Sequence, residues 1–174
     1  MIVALIATLV LLPLLLEAHR ASRHERAQLA RGGLEPADDV YRLMRIAYPA
    51  AFLAMILERA VRGAPSARWI VSGLVCFALA KAIKWWAILA LGPAWTFRVI
   101  VVPGESLVHR GPYRFLRHPN YVGVVGELLG VAMLTGATVS GPLAIVLFGV
   151  LLKRRIAVEE RTLNSTARYP PCSL

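Results

Sequence analysis

Cysteine is nearly absent from this 174-residue chain: Cys76 lies in an apolar run and Cys172 close to the end, so no disulfide framework or CxxC metal pair is available. Cys172 stands one residue nearer the end than a prenylation box requires. Acidic residues are also scarce, 10 against 20 lysines and arginines, and charged residues of both signs make up only 17% of the chain. With 57% hydrophobic residues and a mean hydropathy of +0.61, so little charge excludes an ordinary soluble domain of this size. The formal charge of +10 does not indicate nucleic acid, because no groove-reading motif accompanies it and the arginines fall in short blocks between apolar runs. No internal repeat, metal-ligand spacing or Ser/His/Asp arrangement is present. What remains is one membrane unit, residues 1–174, with the bilayer as its first partner.

Hydrophobic runs predict an all-α, integral membrane bundle of about five transmembrane helices. The first apolar run, Met1 to Leu16, lacks a basic leader and a cleavage site and enters Glu17, His19, Arg20, Arg23 and Arg26 directly, so it reads as an uncleaved span. It is short of the roughly 20 residues a span needs, which predicts a helix continuing to about Ala21. Polar residues follow to Asp39, with Gly32-Gly33 and Pro36 as loop signals. Span two is expected at about Leu43 to Val61, with Arg45 snorkelling, and span three at about Trp69 to Leu91. Lys81 and Lys84 share a face of span three, either snorkelling beside Trp85 and Trp86 or forming a basic wall for an anionic substrate. Gly92 to Asn120 reads as a reentrant or cytoplasmic connector, with a β-branched stretch at Val99 to Val102. Spans four and five, about Tyr121 to Thr135 and Leu143 to Val158, are joined by an uncharged turn and are expected to form a tight hairpin.

Arginines and lysines cluster after spans one, three and five, at Arg20 to Arg31, Arg98 to Arg117 and Lys153 to Arg161, while the turn between spans four and five carries no charge. That alternation predicts the N-terminus outside and the C-terminus inside, with Arg62 and Arg68 as an exception.

The densest polar cluster, residues 110–123, directly precedes an apolar helix. Pro119 has a φ suited to a first helical turn, so His118 is expected at the cap, where free N–H groups and the positive dipole end welcome a ligand carboxylate. Tyr113 and Tyr121 bracket this turn, either as interfacial belt residues or as flat faces for a purine or ribose. Arg155 and Glu159 share a helical face beside Glu160, as a solvated ion pair or as partners for a ligand's anionic oxygen, ammonium and hydroxyls. Glu127, costly inside a span, either lines a substrate pocket or pairs with a span-three lysine.

Leu107-Val108, Gly111-Pro112-Tyr113, Arg117-His118-Pro119-Asn120-Tyr121-Val122-Gly123 and Glu159-Glu160 with Leu163 together resemble the isoprenylcysteine carboxyl methyltransferase family and related phospholipid methyltransferases. The likeness covers about Trp95 to Leu163, and earlier spans match in hydropathy. It implies an S-adenosylmethionine-dependent enzyme with its cofactor-binding core at 95–163 and a cytoplasmic cofactor pocket. Residue by residue, it implies cofactor contacts from Glu105, Ser106, Leu107, Val108, Tyr113, His118, Pro119, Asn120, Tyr121 and Glu159. A substrate-facing, catalytic role falls to Arg155. The segments Lys84 to Ile88, Trp95 to Arg98 and Val102-Pro103-Gly104 resemble a bacterial branch found beside type III polyketide synthases, expected to O-methylate alkylpyrone or alkylresorcinol lipids. One departure is the stretch after Glu160, shorter than the segment that closes the pocket in family members.

The expected reaction is methyl transfer to an oxygen, carboxylate or enol/phenol, of a lipophilic or prenylated acceptor, with Arg155 orienting the acceptor and Glu127 a candidate substrate contact. An NADPH-dependent reductase of the related sterol-reductase superfold is one rival, although Glu159-Glu160 would repel a nicotinamide phosphate. A non-catalytic membrane homologue is the other. Neither the acceptor nor the oligomeric state follows from the sequence.

Overall fold

The computed structural model describes residues 2–105 and 108–168, and among these the architecture is all-helical. Five helices follow in order: α1 (Ile2–Ala30), α2 (Tyr41–Arg62), α3 (Ala67–Leu91), α4 (Pro119–Thr135) and α5 (Ser140–Arg168). Short 3-10 turns occupy Gly92–Ala94 and Gly111–Arg114 in the long connector. The β-branched stretch forms no strand, only a bridge in which Leu34 and Val101 exchange backbone hydrogen bonds at 2.9 and 3.0 Å.

Among the described residues, two helices, α1 and the stretch Ala67–Ala94 containing α3, are long and apolar enough to cross a bilayer. Helix α4, with 17 residues, spans about 25 Å at 1.5 Å per residue, slightly less than a hydrocarbon core of about 30 Å.

Helix α1 does not end near Ala21 but continues to Ala30. Its polar end is a second buried face: Glu17, Ala21, Glu25 and Gln28 recur at helical spacing and are all buried. Its last two turns hold the connector. Gln28 Nε2 donates to the Pro93 carbonyl at 2.8 Å, His24 Nδ1 meets the Trp95 carbonyl at 2.8 Å, and Glu25 accepts the N–H groups of Phe97 and Arg98 at 3.2 and 3.3 Å.

Helices α3 and α4 pack antiparallel at close range, because α4 presents glycines where α3 backbone approaches. A Cβ on Gly130 would lie 2.6 Å from the Phe77 backbone nitrogen, and those on Gly126 and Gly123 would lie 2.8 Å from the Cβ atoms of Ala80 and Lys84. Small residues that admit close backbone contact are the usual means of helix association in lipid. Thus the most intimate partner of α4 is α3, and the hairpin with α5 is looser. Gly136 ends α4 in the left-handed conformation, φ 69°, that only glycine adopts freely.

The helix ends gather into two poles. At one, Glu58 near the end of α2 accepts hydrogen bonds from Val139 and Ser140, holding the start of α5. At the other, the connector and the end of α5 meet the loop between α1 and α2 through Arg98–Glu35 (2.9 Å), Arg155–Asp39 (2.6 Å) and Arg161–Asp38. All three arginine-rich blocks lie near this second pole.

Candidate active site

A cavity of about 890 Å³ opens at the arginine-rich pole. Three parts of the chain enclose it: the facing sides of α1 and α2, the connector from Leu91 to Val102 and Val108 to His118, and the start of α4 against the end of α5. Its lining changes character along its length. His118, Asn120, Tyr121, Arg155, Glu159 and Glu160 form a polar mouth, whereas Leu14, Met44, Pro49, Val124, Phe148 and Leu152 line an apolar flank.

The mouth is built on one helix start and one helix end. His118 is the N-cap residue of α4, with Pro119 at the first helical position, so its ring stands beside the next turn and stacks on Tyr121 with centroids 5.5 Å apart. Tyr121 joins the two helices: its hydroxyl donates to Glu159 Oε2 at 2.7 Å and accepts from Arg155 Nε at 3.3 Å. His118 Nε2 lies 3.4 Å from Glu160 Oε1, and its Nδ1 is 4.0 Å from Glu159 Oε2. These longer contacts leave carboxylate capacity toward the cavity, and the two carboxylates are a third or more exposed. Asn120 accepts from Trp95 Nε1 at 3.3 Å. Burial, then the nearby Glu159 carboxylate, push the Tyr113 phenol well above its ordinary value, keeping it a neutral donor.

Arg155 lines the cavity yet is already engaged. It donates to Asp39 at 2.6 Å, to the Phe97 carbonyl and to Tyr121, so three of its five N–H donors are used and its charge is compensated. Asp39 in turn accepts the backbone N–H groups of Val99 and Tyr41 at 2.8 and 3.0 Å. Asp39 was not legible as a site residue; it lies 116 residues from its partner.

Of the other candidates, Val108 and Glu105 line the cavity, and Glu105 pairs with Arg31 at 3.3 Å. Pro119 is buried beneath the cap, while Ser106 and Leu107 lie outside the described residues. Glu127 does not line the cavity: of its two readings, the structure shows the lysine pairing. Lys81 and Lys84 each contact both Glu17 and Glu127, at 2.7 to 3.3 Å, and Tyr48 donates to Glu127 Oε2 at 2.6 Å. Neither lysine snorkels, because ion partners from α1 and α4 satisfy both inside the bundle. From this cluster only Tyr48 and Lys84 reach the cavity wall.

The described residues thus form a helical bundle, two of its helices long and apolar enough to cross a bilayer, around a cavity that is polar at its mouth and apolar along its flank. The sequence profile of the isoprenylcysteine carboxyl methyltransferase (ICMT) family matches residues 73–165, which includes α4, most of α5 and every residue of the mouth named above. The chain belongs to that family of membrane methyltransferases. It is 31% identical over 145 residues, 83% of this chain and 86% of the relative, to the uncharacterized protein YpbQ of Bacillus subtilis. It is also 25% identical over 143 residues, 82% of this chain and 83% of the relative, to an uncharacterized protein of Haemophilus influenzae. No solved structure matches the chain significantly.

Proposed function

We propose that this chain transfers a methyl group from S-adenosylmethionine to an oxygen, carboxylate or enol/phenol, of a lipophilic acceptor at a multi-pass site in a bacterial plasma membrane. The observation that carries the reading is the continuity of the cavity from the Tyr121–Glu159 mouth to the apolar flank between α1 and α2. The residues present fit the donor. Glu159 and Glu160 suit its ammonium and ribose hydroxyls, the stacked His118 and Tyr121 rings suit its purine, and the helix start suits its carboxylate.

When bound, S-adenosylmethionine supplies an electrophilic methyl on a cationic sulfur. The protein's part is alignment. Holding both reactants in line accounts for about 7–11 kcal/mol of barrier in well-oriented systems, and no nucleophilic side chain is needed. Arg155 directs an acceptor oxygen with the N–H groups not used by Asp39, Phe97 and Tyr121. Because Asp39 already balances its charge, Arg155 positions the oxygen without quenching it as an ion pair would. Leu15, largely exposed on α1, leaves the apolar flank open toward lipid, giving an alkyl tail a route between α1 and α2. The arginine blocks support the N-terminus out and the mouth facing the cytoplasm, where the donor is made.

Calorimetry in detergent tests the assignment. The wild-type protein binds S-adenosylmethionine, and His118→Ala and Glu159→Ala each weaken it; unchanged affinity in both contradicts the reading. Thermal stabilisation by NADPH and not by S-adenosylmethionine favours a reductase instead.

A further inference from the structure

The pole away from the mouth holds a cation that the proposed reaction does not use. Arg59, in the last turn of α2, is only 7% exposed. A buried charge is ordinarily paired, yet among the described residues Arg59 has no ion pair, and its hydrogen bond runs from Nη1 to the Gly63 carbonyl at 3.3 Å. Most of its five N–H donors therefore lack a protein partner. The adjacent carboxylate is committed elsewhere: Glu58 accepts from Val139 and Ser140 at the start of α5 and pairs with Arg62 at 3.5 Å. The carbonyls ending α2 offset part of the Arg59 charge but bring no anion. Nor is the guanidinium sealed in. It lines a shallow hollow of about 430 Å³ between the start of α1 and the end of α2, with Ile2, Val3, Ala60, Gly63 and Ala64. Small residues keep this hollow clear, and its rim is apolar, with Ile2 58% and Val3 36% exposed.

We propose that Arg59 binds the phosphate of an anionic phospholipid at this pole. Phosphate oxygens match the paired N–H groups of a guanidinium and supply the countercharge that no carboxylate of the bundle provides. The apolar rim then takes the start of an acyl chain along Ile2 and Val3. A free phosphate would meet the same N–H groups but gain nothing from that rim. A choline headgroup would bring its own cation to a pole where Arg62 and Arg68 already add positive charge. The site lies at the opposite end of the bundle from the donor mouth and does not depend on methyl transfer. In the orientation proposed above it faces the outer leaflet. A lipid seated there ties the start of α1 to the end of α2.

The test uses the full chain in phosphatidylcholine nanodiscs doped with phosphatidylglycerol that carries a photoreactive group beside its headgroup, and crosslinked peptides are mapped. The wild type is labelled at residues 2–3 or 59–64. Unlabelled phosphatidylglycerol competes this label away about tenfold more effectively than added phosphatidylcholine does, the scale of one charge-assisted hydrogen bond, and inorganic phosphate competes poorly. Arg59→Gln lowers the label at this pole about tenfold and leaves labelling at the arginine-rich pole unchanged, which also reports that the variant is folded. Arg59→Lys keeps part of the label, because it retains the charge without the paired N–H groups. Absence of label at this pole, equal competition by the two lipids, or full label in Arg59→Gln overturns the inference. Competition by inorganic phosphate as effective as that by phosphatidylglycerol overturns it too, in favour of a free-anion site. Should Arg59→Gln not fold, the wild-type competition alone decides.

Discussion

Two polar clusters share helix α4, separated by the six residues from Tyr121 to Glu127, about 9 Å along the axis. The inner one, Glu17, Lys81, Lys84 and Glu127 with Tyr48, is closed: side-chain exposure is 13% for Lys81 and at most 3% for the other three charged groups, and charges balance two against two. The outer one is open. His118, Glu159 and Glu160 are 22 to 39% exposed, and the histidine–carboxylate contacts stretch to 3.4 and 4.0 Å. The difference separates two uses of charge. Short, dry, balanced pairs hold helices in register, and long, wet, unbalanced ones leave capacity for a ligand.

The largest effect expected from breaking this contrast is on the inner cluster. Lys84→Met strands buried carboxylate charge and should cost about 3–5 kcal/mol of stability, read by unfolding in detergent. Pairing it with Glu127→Leu should recover part of that loss; a double variant as unstable as the two losses added would show the ions act independently. At the mouth, Glu159→Gln should leave the fold intact but weaken the donor by about 1.5–3 kcal/mol, measured by calorimetry. Gly130→Ala tests the helix contact beneath both clusters. Overpacking against the Phe77 backbone should destabilise by about 1–3 kcal/mol, seen as a lower melting temperature. Smallest is Arg117→Ala, whose exposed 3.5 Å pair with Glu160 should change stability by less than about 1 kcal/mol in the same assay.

The same contrast explains what was readable in the chain. The five apolar or amphipathic runs became five helices, and His118-Pro119 became a helix start, because each depends on neighbouring residues only. Arg155 and Glu159 could be put on one face from their spacing. Their link through Tyr121, however, needs α4 against α5, and the hold of Asp39 on Arg155 needs a loop distant in sequence. Glu17 was taken for a boundary charge because it ends an apolar run. Continued at helical spacing through Ala21, Glu25 and Gln28, it marks a polar buried face, a signal present in the sequence and missed by ending the helix near Ala21. For Glu127 the sequence left two readings, and only the approach of α3 through the glycines of α4 selects the lysines.

The most direct measurement is ultraviolet crosslinking of methyl-labelled S-adenosylmethionine to the membrane-embedded protein, followed by peptide mapping. The account predicts label within residues 110–123 or 155–165, competed away by unlabelled donor. Competable label confined to the opposite pole, around Glu58 and Ser140, would contradict it.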